Sequence, residues 1–93
     1  MTFIYRVHAI ERMFQRDISE KTAEETIQNG AIIEQYLDDK PYPSFLVLGF
    51  EKNNLNRPIH VVFAKNNSEI IIITVYRPDE SKWKDNYKTR IEK

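Results

Sequence analysis

The 93-residue chain has the length of one small domain, just under the usual span of about 100–200 residues, and is expected to form a single domain over 1–93. Its 41% hydrophobic and 30% charged residues, with 2 Gly and 4 Pro, exclude collagen-like, low-complexity and disordered classes. The longest apolar run, Ile70 to Val75, carries a Thr and falls far short of the about 20 residues a membrane-spanning helix needs.

With no Cys there is neither a disulfide nor thiolate chemistry to consider. The first residues lack the basic-then-apolar pattern of a secretory signal, so a cytoplasmic protein is expected, with no membrane partner. Formal charge is zero, 14 basic residues against 14 acidic, which argues against a nucleic-acid binder, whose domain pI usually exceeds about 9. The charge is segregated, however. Residues 1–16 sum to +2, residues 17–39 to −6 and residues 40–93 to +4. A zero total therefore hides a basic surface beside an acidic one, unless these runs are simply solvated faces.

Residues 4–16 read as a helix, with Ile4, Val7, Ile10 and Phe14 recurring at helical spacing and Met13 alongside. Ser19 is a good N-cap for a second helix from Glu20 to Asn29, with Glu20 in the first turn and Gly30 as its stop. Only Ala23 and Ile27 look core-facing there, so this helix presents an acidic surface. After Gly30 the period changes to that of strands. Four are expected, at Ala31–Leu37, Ser44–Glu51, Pro58–Lys65 and Ile70–Tyr76. The Asp38–Pro43 turn, the Lys52–Arg57 connection and the Asn66-Asn67-Ser68 turn separate them. Trp83, Tyr87 and Ile91 at i, i+4 and i+8 suggest a short C-terminal helix. Helices followed by hairpin-linked strands predict an α+β fold, two N-terminal helices packed on a four-stranded antiparallel sheet.

Metal and cofactor chemistry have little to rest on. Zinc needs about four closely spaced ligands, and only His8 and His60 stand beside scattered carboxylates. Glycines at 30 and 49 alone build no phosphate-cradling loop. What remains is a stripe of His8, Arg12 and Arg16 at i, i+4 and i+8, stacked on one helix face. Guanidinium groups offer planar, bidentate donors suited to phosphate. The same arginines could instead pair with the acidic second helix.

His60 in an apolar strand is either a satisfied core residue or a titrating group. Thr74 and Tyr76 share a strand face, and Arg77 emerges at the rim of the sheet. Taken together, two His, several Arg and a Tyr form a set able to cleave RNA without metal. One imidazole takes the 2′-hydroxyl proton, the other protonates the departing 5′ oxygen, and Arg stabilises the phosphoryl charge.

The order His8-Ala9-Ile10-Glu11-Arg12-Met13-Phe14-Gln15-Arg16, Ile27-Gln28-Asn29-Gly30, Asp39-Lys40-Pro41-Tyr42-Pro43, Leu48-Gly49-Phe50, Arg57-Pro58-Ile59-His60-Val61-Val62, and Ile73-Thr74-Val75-Tyr76-Arg77-Pro78 with Trp83 resembles the domain-of-unknown-function 4258 family. The resemblance runs from about residue 6 to residue 90. It implies a RelE- and barnase-like ribonuclease fold and a toxin paired with a zinc-finger or helix-turn-helix antitoxin. It also implies a site of His8, His60 and Tyr76 as catalytic residues, with Arg12, Arg16, Thr74 and Arg77 binding RNA. The expected function is thus a metal-independent endoribonuclease with no cofactor. A non-catalytic interaction module of the same fold is the alternative.

Overall fold

The computed structural model describes residues 1–92. In chain order the elements are β1 (Thr2–Tyr5), α1 (Val7–Arg16), α2 (Glu20–Asn29), β2 (Ala31–Tyr36), β3 (Ser44–Phe50), β4 (Pro58–Asn66), β5 (Glu69–Tyr76), β6 (Trp83–Lys84) and β7 (Thr89–Arg90). Strands β1 to β5 form one sheet in the order β1-β5-β4-β3-β2. The pairings are antiparallel except β1, which runs parallel to β5. The expected α+β class holds, but the sheet is mixed and five-stranded rather than antiparallel and four-stranded.

The extra strand comes from the start of the expected first helix. Thr2-Phe3-Ile4-Tyr5 is β-branched and aromatic, a composition that suits a pleated surface. It pairs residue for residue with Glu69–Ile72, and the Arg6 N–H continues the ladder to the Ile72 carbonyl at 3.0 Å. Helix α1 therefore begins only at Val7.

Its buried face also differs from the apolar stripe expected. Ala9 and Met13 enter the core, while Val7 is 73% exposed and Phe14 88%. Two apolar stripes compete on this helix, Val7, Ile10 and Phe14 on one side and Ala9 with Met13 on the other. The one carrying the small Ala9 lies against β5.

Ser19 caps α2 as expected, its hydroxyl accepting the Thr22 N–H at 3.1 Å. Ala23 and Thr26 are buried, whereas Ile27 is only half-buried against the core. Gly30 ends α2 with extended backbone, φ −80°, so its conformation does not require glycine. Space does: a Cβ there would stand 2.4 Å from the Leu48 carbonyl oxygen and 2.5 Å from that of Thr26.

The main core lies between the helices and one sheet face, where Ala9, Met13, Ile18 and Ala23 meet Val47, Ile59, Val61, Phe63, Ile70, Ile72 and Val75. On the opposite face Leu46, Leu48 and His60 are buried as well, beside Trp83. The cover there is the C-terminal segment, which forms a hairpin of β6 and β7 instead of the expected helix. Three successive left-handed residues, Asp85, Asn86 and Tyr87, reverse the chain between the two strands. Among the described residues no helix is long and apolar enough to cross a membrane.

Candidate functional site

A cleft of about 490 Å³ opens beside β5, and α1 supplies one wall through His8, Arg12 and Arg16. Helical spacing aligns the three, each four residues after the last, on a face adjoining the buried Ala9 and Met13. Opposite them stand Thr74, Tyr76 and Arg77 at the end of β5. The C-terminal segment adds Asp79, Lys82, Trp83 and Arg90.

A bulge delivers the β5 side chains. Val62 pairs with Thr74, but Phe63 pairs with Ile72, so Ile73 is an extra residue on β5. Strict alternation would put residues 70, 72, 74 and 76 on one face. The inserted residue sends Ile70 and Ile72 into the core and turns Thr74 and Tyr76 to the cleft side. Strand β2 repeats the device. Ile32 pairs with Val47 and Glu34 with Leu46, so the irregularity at Ile33 turns Glu34 away from the helices.

Glu34 anchors the hairpin. Arg90 donates to both of its carboxylate oxygens, with Nε 3.0 Å from Oε2 and Nη2 3.2 Å from Oε1. Tyr36 also donates to Glu34. Burial would raise the Glu34 pKa, but the hydrogen bonds from Tyr36 and Arg90 outweigh it and hold the carboxyl below its ordinary value. The Arg90 guanidinium lies 4.7 Å over the Trp83 ring, a cation–π contact. Trp83 in turn meets the His60 imidazole edge to face, 4.4 Å between ring centroids.

His60 is completely buried, and both ring nitrogens are occupied. Nε2 lies 2.8 Å from the Tyr87 carbonyl oxygen and Nδ1 lies 3.1 Å from the Tyr76 hydroxyl. Burial lowers its pKa to about 4 despite the Tyr87 carbonyl, so the ring is neutral at neutral pH. A carbonyl only accepts, which fixes the proton on Nε2 and leaves Nδ1 as a lone pair. The Tyr76 hydroxyl therefore donates to Nδ1. Burial raises the Tyr76 pKa, keeping the phenol protonated.

Arg77 Nη2 donates to Glu51 Oε1 at 3.2 Å, and Glu51 also holds Arg57. Arg77 Nη1 is buried without a hydrogen-bond partner. Among the described residues no ion pair involves Arg12 or Arg16, so neither arginine pairs with acidic α2. Both cations face the cleft unpaired.

Six of the seven residues expected from sequence thus line one cleft: His8, Arg12, Arg16, Thr74, Tyr76 and Arg77. His60 lies beneath it, a satisfied core histidine that reaches the cleft through Tyr76. Sequence reasoning missed Lys82, Arg90 and Glu34. Arg90 and Glu34 are 56 positions apart and meet through the fold alone, so no local pattern marks them.

The fold and cleft define a small α+β protein with a cation-lined groove along the last strand of its sheet. The chain belongs to the DUF4258 family, a domain of unknown function, whose family model matches residues 5–77. That span contains α1, His60 and the end of β5, and it stops before Trp83 and Arg90. No curated protein and no solved structure matches the chain significantly.

Proposed function

We propose that this protein is a metal-independent endoribonuclease, the toxin of a type II toxin–antitoxin pair acting in the cytoplasm, with a RelE- or barnase-like fold. The observation that carries the reading is the wall of His8, Arg12 and Arg16 facing Tyr76 and Arg77 across one cleft, with neither Arg12 nor Arg16 in an ion pair among the described residues. An RNA backbone there meets guanidinium donors suited to its phosphates. In the reaction the ribose 2′-oxygen attacks the neighbouring phosphorus and the bond to the 5′ oxygen breaks. The products are a 2′,3′-cyclic phosphate and a 5′-hydroxyl. Arg12, Arg16 and Arg77 stabilise the charge that builds on the phosphoryl oxygens, and Thr74 adds a hydroxyl to the phosphate contacts. His8, exposed on the wall, exchanges a proton with the bound RNA directly. His60 does so only by way of Tyr76.

The test is incubation of purified protein with RNA in EDTA, beside His8→Ala and Arg16→Ala variants. Cleavage leaving cyclic phosphate ends and depending on His8 supports the reading. Cleavage that needs a divalent ion, or that survives in His8→Ala, defeats it.

A second reading is a non-catalytic interaction module, favoured by Val7, Ile10 and Phe14 exposed along one face of α1. Both readings accommodate a zinc-finger or helix-turn-helix antitoxin as partner. Expression alone in a bacterial host separates them. Growth arrest relieved by His8→Ala favours the ribonuclease, whereas no arrest and no RNA binding at low salt favour the module.

A further inference from the structure

The residues that hold His60 belong to the C-terminal hairpin, and their effect reaches the cleft through one hydroxyl. Trp83 closes on the imidazole at 4.4 Å, Arg90 lies over Trp83, and Glu34 ties Arg90 to the sheet. The hairpin's own backbone sets the tautomer, because the Tyr87 carbonyl receives Nε2–H at 2.8 Å. Nδ1 is then an acceptor and consumes the single proton of the Tyr76 hydroxyl at 3.1 Å. A phenol has one donor, so what Tyr76 turns to the cleft is lone pairs. Phosphate oxygens carry no proton to give to such an oxygen. A ribose 2′-hydroxyl does.

We propose that the C-terminal hairpin makes Tyr76 a hydrogen-bond acceptor toward the cleft, so that Tyr76 recognises the 2′-hydroxyl of the ribose whose phosphate the arginines hold. The inference rests on the RNA-cleaving reading above and assigns its sugar specificity. It also assigns the proton path. The 2′-hydroxyl proton passes to the Tyr76 oxygen as the Tyr76 proton passes to His60 Nδ1, and the new 2′-oxygen-to-phosphorus bond forms. His8 in its protonated form gives its proton to the departing 5′ oxygen. Product release then returns one proton from His60 through Tyr76 to solvent while His8 takes one up. Tyr76 and His8 are the catalytic residues in this scheme, and His60, Trp83, Arg90 and Glu34 act through Tyr76 as positioning residues.

Two measurements test the proposal. The first is nitrogen-detected NMR of the His60 ring in the free full chain, where Nε2–H with unprotonated Nδ1 is expected. The second is binding of short oligonucleotides of one sequence in ribo, 2′-deoxy and 2′-O-methyl forms, in a His8→Ala background so that RNA survives the titration. The ribo form is expected to bind about tenfold more tightly than the other two, and Tyr76→Phe is expected to erase the difference. Arg90→Gln, which keeps the phenol but releases the hairpin, is expected to narrow the preference and to move the His60 pKa from about 4 toward its ordinary value. An Nδ1–H tautomer overturns the proposal, as does a 2′-hydroxyl preference that persists in Tyr76→Phe. Equal binding of all three oligonucleotides by the His8→Ala protein overturns it too, while RNA cleavage by the wild-type protein in EDTA keeps the ribonuclease reading standing. Failure to bind any oligonucleotide overturns both.

Discussion

Ile72 and Thr74 stand two positions apart on β5 and face opposite sides of the sheet, Ile72 in the core under the helices and Thr74 in the cleft. The extra residue between them, Ile73, makes the reversal. One insertion thus reconciles two demands on a single strand: a continuous apolar core and a polar site at its end.

Deleting Ile73 should therefore remove the bulge without reversing either face. Ile72 and Thr74 become neighbours, and ordinary alternation still points Ile70 and Ile72 to the core and Thr74 and Tyr76 to the cleft. The deletion is expected to cost about 1 kcal/mol in chemical denaturation, in the range of an ordinary single substitution. A deletion variant that does not fold contradicts the role given to the bulge.

The two glycines should respond unequally to Ala. At Gly30 the new Cβ meets two backbone carbonyl oxygens, at 2.4 and 2.5 Å, neither able to yield without moving β3 or the end of α2. At Gly49 its nearest neighbour is Thr26 Cγ2 at 2.8 Å, a side-chain atom. Gly30→Ala is expected to cost about 2–3 kcal/mol and Gly49→Ala about 1 kcal/mol less. Equal midpoints in urea would place the crowding elsewhere.

Acid should weaken the fold through His60. Its folded pKa of about 4 lies below the ordinary 6.5, so the unfolded chain binds the proton first. The stabilisation is complete above pH 6.5 and is lost as pH falls toward 4, amounting to about 3 kcal/mol over that window. Glu34 and Glu51, whose pKa values are lowered, add losses only below the ordinary carboxylate range. Comparing urea stability at pH 7 and pH 5 for wild type and His60→Gln isolates the histidine. The wild type should lose stability over this interval and the variant should stay nearly flat. Parallel slopes would show that His60 does not carry the effect.

Binding to single-stranded RNA, on the proposed function, should show a modest salt dependence that each cleft arginine shares. Arg12→Ala and Arg16→Ala are each expected to reduce the slope of log affinity against log salt by about 0.7. Lys65→Ala, on an exposed residue of β4 away from the cleft, should leave the slope unchanged. If all three substitutions reduce it equally, charge acts diffusely and the cleft has no special part.

Much of the site was visible in the chain before any fold was known. The stripe of His8, Arg12 and Arg16 follows from helical spacing alone, and the joint placement of Thr74 and Tyr76 from strand alternation. Both are short-range regularities, and the fold preserved them. The helix start was less legible, since Ile4 fits a helical apolar period as well as a strand. Only the free edge of β5, offering partners to Thr2–Tyr5, decided for the strand. The C-terminal segment was misread for a similar reason. Trp83, Tyr87 and Ile91 have helical spacing, yet Trp83 is drawn onto His60 and three left-handed residues turn the chain back.

The opening balance of 14 basic and 14 acidic residues likewise needed three dimensions to interpret. Sequence determined that the charges are segregated, that two helices are followed by four successive strands, and that a cationic face runs along the first helix. Tertiary structure decided which cations remain unpaired in the cleft and which are spent on Glu34 and Glu51. It also decided that His60 is a buried neutral ring beneath Tyr76. The physical reason is range. Helix and strand periodicities act over a few residues and are written locally. Bulge positions, the Glu34–Arg90 pair and the burial of His60 arise from contacts between distant segments, which no local pattern encodes.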